Sequence, residues 1–178
     1  MSKVVINKVL LEDNDCFGCG HANPHGYQIE VYERDGIVDE LFGHFDPPDH
    51  AIGFPGVTHG GAIYTVFDCI AAWVPTYFRK DVKAVWMLKG AEMLYFRPSF
   101  QGDRINLHAR ITTEGDKWEP KTVTVDALNV GGDLLSQGKF TFVPLSAERF
   151  KFVSGIGDLP ANWEKFLKGD RTINTSDD

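Results

Sequence analysis

Residues 59–75, HGGAIYTVFDCIAAWVP, carry almost no charge, and their apolar positions repeat at helical spacing. At 100° per residue, Ile63, Phe67, Ile70 and Val74 fall on one face, the stripe that packs on a core. Asp68 is the only charged residue between Gly60 and Phe78, and it lies on the other side with Gly61, Thr65 and Ala72. A solvated face would carry several Lys, Glu or Gln. This one is small and apolar, so a covering element is expected over it as well, which puts the carboxylate where ionised groups are costly unless paired or useful.

Around this helix the pattern changes to period two. Tyr27, Ile29 and Val31 alternate with polar neighbours, a turn ends at Gly36, and residues 37–45 form a second expected strand. A loop over 46–58, with three prolines and two glycines, leads into the helix. The helix should end within about a turn of Pro75, with Arg79, Lys80 and Asp81 as its polar exit. Four strands are expected after it, at 84–96, 104–113, 122–130 and 134–142, separated by Gly-containing turns and arranged as an antiparallel meander. A long helix across one curved antiparallel sheet is an α+β arrangement. Residues 2–13 fit either a short helix or an edge strand. Beyond 145 lies an extension with a short amphipathic helix at 159–167 and a polar, disordered end at 172–178. No repeat or linker divides the chain, so 178 residues are read as one domain.

Composition narrows the function. A net charge of −7, a pI near 5.3 and the lack of any basic cluster exclude a nucleic-acid surface. The first fifteen residues fail as a signal peptide, and no apolar run approaches the ~20 residues of a membrane span, so a cytoplasmic protein with no membrane partner is expected. Three cysteines, an odd number, argue against a disulfide framework. Cys16, Cys19, His21 and His25 are residue types that bind zinc, but structural zinc takes ligand pairs from two separated segments and there is no second pair, Cys69 lying inside the helix; no metal and no cofactor is expected. His44 and His50, in or beside the loop, are read as solvated.

The two glycines open the helix with N–H groups unobstructed by side chains, a place suited to an anion or a carbonyl oxygen. Asp68 follows two turns and ~11 Å later along the same side, so one substrate lying on that face could touch both.

His59-Gly60-Gly61 followed by Asp68 resembles the HGG-x6-D signature of hotdog-fold acyl-CoA thioesterases, in particular the phenylacetic-acid-pathway-like group. Upstream, CFGCGHANPHGYQIE, residues 16–30, is similar to the C-x-x-C-G-x-x-N-P-x-G-L-x-L opening of many members. Downstream, Tyr95-Phe96-Arg97-Pro98 with Gly102-Asp103 is similar to their strand and turn. The matches span about residues 16–143.

The resemblance implies a hotdog fold and hydrolysis of an acyl-CoA thioester. The N–H of Gly60, with the helix dipole behind it, would polarise the carbonyl. Asp68 would act as nucleophile or as general base toward water. His59 would help fix the thioester or its loop. Gly61, Thr65, Arg97 and Lys89 would contact substrate, with Arg79 and Lys80 as further cations near the mouth. It also implies that carboxylate and oxyanion donor come from different subunits, hence a homodimer that pairs into a homotetramer. Two helper positions depart from the pattern: Gly53 stands where many members carry Asn, and Leu88 where many carry Thr or Ser. These departures keep open an alternative, a non-catalytic acyl-CoA binding module. A dehydratase is disfavoured because no His and acid pair has the required spacing. Trp73, Tyr77, Phe78, Trp86 and Tyr95 could wall an acyl pocket or belong to the core.

Overall fold

A computed structural model describes residues 4–113 and 115–169. Its elements in chain order are helix α1 (Ile6–Leu10), strands β1 (Glu30–Tyr32) and β2 (Glu40–Phe45), helix α2 (Gly60–Phe78), strands β3 (Ala84–Tyr95), β4 (Ile105–Ile111), β5 (Lys121–Leu128) and β6 (Leu134–Ser146), and helices α3 (Ala147–Ser154) and α4 (Ala161–Leu167). The six strands make one antiparallel sheet in the order β1-β2-β4-β5-β6-β3. α2 lies across its concave face, which is the hotdog arrangement.

α2 forms where the periodicity placed it, and Ile63, Phe67, Ile70 and Val74 are all buried. They meet Leu107, Ala109, Val125 and Phe140 of the sheet in one continuous core. Two glycines set how closely helix and sheet approach. A Cβ on Gly43 would stand 3.0 Å from Ile70 Cδ1, and one on Gly138 3.0 Å from the Phe67 ring. Pro75 interrupts no more than the last turn, because the chain closes with Arg79 N–H donating to Pro75 O.

The strand pattern departs from the sequence expectation in several places, each with a local cause. β4, β5 and β6 are a meander, but β3 pairs with β6, along Ala84–Tyr95, and not with β4. Alternation marks a strand's two faces and is silent about its neighbour. β1 is short because Gln28 takes a positive φ of 48° and residues 27 and 29 donate their N–H groups to Phe17 O and Gly18 O in the preceding loop. β2 starts only at Glu40, since Asp39 is left-handed at φ 64°. β6 runs through Pro144 to Ser146, beyond the expected end. Its pairing with β5 stops at Phe142, so past that point the proline has a neighbour strand on one side only.

At the N-terminus α1 is helical, and the buried Asn7 ties it down: its amide donates to Cys19 O and Ile29 O, both at 2.9 Å, and accepts from Val31 N–H at 3.0 Å. The extension contains α3, which no sequence pattern announced, as well as the expected amphipathic helix, α4, which begins after Pro160. Phe166 of α4 packs edge-on against Trp73 at 5.8 Å, so the extension covers the rear of α2. The polar end read at 172–178 lies outside the described residues. No helix of the described residues is long and apolar enough to cross a membrane.

Candidate functional site

The N-terminus of α2 opens into a cavity of about 650 Å3 between the 53–59 loop and the end of β3, with Arg97 at its rim. The loop is pinned by Gly53 N–H to Val57 O, Thr58 N–H to Ser99 O and His59 N–H to Ala51 O, at 2.8–2.9 Å. His59 caps the helix: its Nδ1 accepts from Gly61 N–H at 2.8 Å. Its backbone oxygen accepts from Ala62 N–H at 2.9 Å and from Ile63 N–H at 3.3 Å. Of the first four helical N–H groups only that of Gly60 has no acceptor among the described residues. A helix start with one free donor, facing a cavity, is an oxyanion-binding geometry. Tyr95, from the sheet edge, seals the far side by donating its hydroxyl to Gly60 O at 2.9 Å.

Asp68 lies in a second cavity of about 300 Å3, bounded by Trp73, Trp86, Leu88 and, from the extension, Trp163 and Phe166. The carboxylate is half-buried and receives no hydrogen bond from the described residues. Burial, with the neighbouring Cys16 adding, pushes it up to about 6. A carboxylate in that range can still be ionised at neutral pH and accepts a proton readily, the property wanted of a general base.

The two halves of the expected site therefore sit in different cavities of one chain. Other expected residues distribute as follows. Thr65 is half-buried and donates its hydroxyl back to Gly61 O at 2.9 Å. Arg97 is ion-paired with Asp133 at 2.9 Å, both exposed. Lys89 is exposed at the bulge between Leu88 and Gly90 and lines neither cavity. Arg79 is held by both carboxylate oxygens of Asp39, and Lys80 lies over the Tyr77 ring. Gly53 lines the first cavity and Leu88 the second. Trp73, Tyr77 and Trp86 are core residues, with Trp73 and Trp86 also walling the Asp68 cavity, whereas Tyr95 is half exposed.

Two contacts were not foreseen. One is the Tyr95 hydroxyl on Gly60. The other is the convergence of Cys16 and Cys19 on Cys69, with Cys16 Sγ and Cys69 Sγ 3.7 Å apart beside Asp68. The Cys-x-x-Cys pair was visible in the sequence; its third member is 50 residues or more away and hidden inside a helix.

No family model and no curated protein sequence matches the chain. Solved structures do. A Haemophilus influenzae thioesterase superposes with a TM-score of 0.65 at 14% identity, covering 82% of this chain and 93% of its own. The E. coli PaaI protein of the phenylacetic acid degradation operon gives 0.59 at 12%, covering 67% and 81%. A Streptococcus mutans protein solved bound to acetyl-CoA gives 0.58 at 18%, covering 66% and 89%. At such identities a likeness speaks for the fold alone, and the fold of this chain is the hotdog.

Proposed function

We propose that this protein hydrolyses acyl-CoA thioesters in a site shared between two copies of the chain. The observation that carries the reading is a helix start with one N–H, that of Gly60, free among the described residues, on a 19-residue helix whose only carboxylate, Asp68, is half-buried and receives no hydrogen bond from them. Hotdog neighbours solved with acetyl-CoA or CoA bound support the ligand class.

The numbering of the helix supports the sharing. Two α2 helices packed antiparallel about a two-fold axis at residue 64 set residue 60 of one against residue 68 of the other, since 64 is their midpoint. Tyr64 is 36% exposed and Gly61 is exposed, and next to them the edge strand β3 exposes Met87, Leu94 and Tyr95. An isologous dimer would cover this apolar edge and bring together the two half-sites.

In that site the thioester carbonyl oxygen accepts from Gly60 N–H, with the positive end of the helix dipole behind it. Asp68 of the second copy takes a proton from a water as its oxygen attacks the carbonyl carbon. The C–S bond then breaks, and the departing thiolate takes the proton back, leaving free acid and CoA thiol. Direct attack by Asp68 would instead give an acyl anhydride that water opens. His59 acts as the helix cap that leaves Gly60 free, and Arg97 at the rim faces the CoA phosphates.

Free-thiol release from short, long and aryl acyl-CoAs by wild type and by Asp68→Asn tests the reading. Release that falls a hundredfold or more in the variant is expected for loss of a base or nucleophile. The absence of hydroxyl or amide side chains at Gly53 and Leu88 favours the second reading, a non-catalytic acyl-CoA binding module. That reading predicts binding without thiol release by either protein.

A further inference from the structure

The loop that carries Cys16 and Cys19 is folded tightly back on itself and pressed onto the middle of α2. Cys16 O accepts from Gly20 N–H at 2.9 Å, and Asn14 Oδ1 accepts from Cys16 N–H at 3.0 Å. A Cβ on Gly20 would lie 2.3–2.7 Å from Asn14 O, Cys16 N and Cys16 O, so only glycine closes this turn. A Cβ on Gly18 would lie 2.4 Å from Cys69 Sγ, so the second glycine admits the helix sulfur into the loop. The Cys-Phe-Gly-Cys-Gly sequence is thus shaped around three sulfurs.

Those sulfurs all lie within 4.8 Å of one another, with Cys16 and Cys69 at 3.7 Å. Tetrahedral zinc with Zn–S bonds of about 2.3 Å requires ligand sulfurs about 3.8 Å apart. A disulfide needs one pair near 2.05 Å and leaves the third thiol without a role. Trp73 Nε1–H at 3.4 Å and Asn14 Nδ2–H at 3.7 Å donate to Cys19 Sγ. These donors are the outer partners that metal-bound thiolates use. Cys16 opens onto the Asp68 cavity, which gives an entry path and a free coordination position. Among the described residues, no basic side chain lines that cavity.

We propose that Cys16, Cys19 and Cys69 bind one zinc ion through three thiolates, with the fourth tetrahedral position facing the cavity that Asp68 lines. The ion fastens the N-terminal loop to α2 one residue from Asp68. The expectation of no metal rested on the lack of a second ligand pair; the helix supplies one further sulfur, Cys69, and the fourth position is left to the cavity.

Elemental analysis of protein purified without chelator should find one zinc per chain, and zinc-depleted protein titrated with Co2+ should develop a thiolate-to-cobalt charge-transfer band that saturates at one equivalent. In Cys16→Ser, chosen because Cys16 is half-exposed, bound zinc should fall at least about tenfold at unchanged helical circular dichroism, as loss of a ligand demands. Chelation should lower the melting temperature of the wild type and leave that of Cys16→Ser unmoved. Should Cys16→Ser fail to fold, the Co2+ titration of the wild type decides alone. Wild-type protein with no zinc and no cobalt band overturns the proposal, whether its three thiols are all free to a thiol reagent or its mass is two hydrogens lighter from a Cys16–Cys69 disulfide.

Discussion

Gly60→Pro removes the one atom group on which the helix-start chemistry depends and little else. Gly60 is the first helical residue, where proline is favoured because its missing N–H would have no intrahelical acceptor. The preceding residue must then be extended, and His59 already is, at φ −62° and ψ 131°. A Cβ at this position meets the Tyr95 ring at 3.5 Å, ordinary contact distance. Replacing a glycine at compatible dihedrals stabilises by about 0.4–1 kcal/mol through the unfolded chain. The melting temperature should therefore hold or rise by a few degrees. Activity should not hold: deleting one oxyanion donor costs about 2.7–4 kcal/mol, a factor of 10²–10³ in kcat. Gly60→Ala keeps the N–H and should fall less. The assay is thiol release from the best acyl-CoA, alongside thermal unfolding of each variant. A folded Gly60→Pro protein with the wild-type kcat refutes Gly60 as the donor, and an unfolded one refutes the geometric reasoning at the helix start.

Four further variants have outcomes set by local contacts. Asn7→Ala strands two buried carbonyls and the Val31 N–H, and should cost about 2–4 kcal/mol in chemical denaturation. Phe166→Ala removes the ring that rests on Trp73 and should cost about 3 kcal/mol, with a changed near-ultraviolet tryptophan signal. Arg97→Ala should raise KM about threefold at constant kcat, the worth of an exposed charge contact, whereas Lys89→Ala should leave both unchanged in steady-state kinetics.

The parts of the fold that repeat locally were legible in the sequence. α2 announced itself through Ile63, Phe67, Ile70 and Val74, and β3 to β6 through alternation between glycine turns. The order of the strands was not legible, because alternation marks a strand's two faces and is silent about which strand β3 joins. α3 was hidden for a different reason: Ala147–Ser154 buries no residue fully, so its sequence carries no strong apolar stripe. At the site, His59, Gly60, Gly61 and Asp68 stood together in one motif, and the cap geometry then separated their parts, giving His59 to Gly61 and leaving Gly60 free. The sulfur cluster escaped because Cys69 stands alone inside a helix, 50 residues or more from the Cys16–Cys19 pair, and makes no second ligand pair in the sequence. Gly18 and Gly20, which make room for it, read in sequence as ordinary loop glycines.

A hybrid dimer tests the shared site most directly. Gly60→Pro and Asp68→Asn chains are co-expressed with different tags, the mixed dimers are isolated through both, and thiol release is measured against each parent. If donor and carboxylate come from different copies, one of the two sites in the hybrid keeps both groups, and about half of the wild-type activity returns although both parents are inactive. Should each chain supply its own donor and its own carboxylate, every site in the hybrid is defective. Activity no higher than that of the parents would contradict the account.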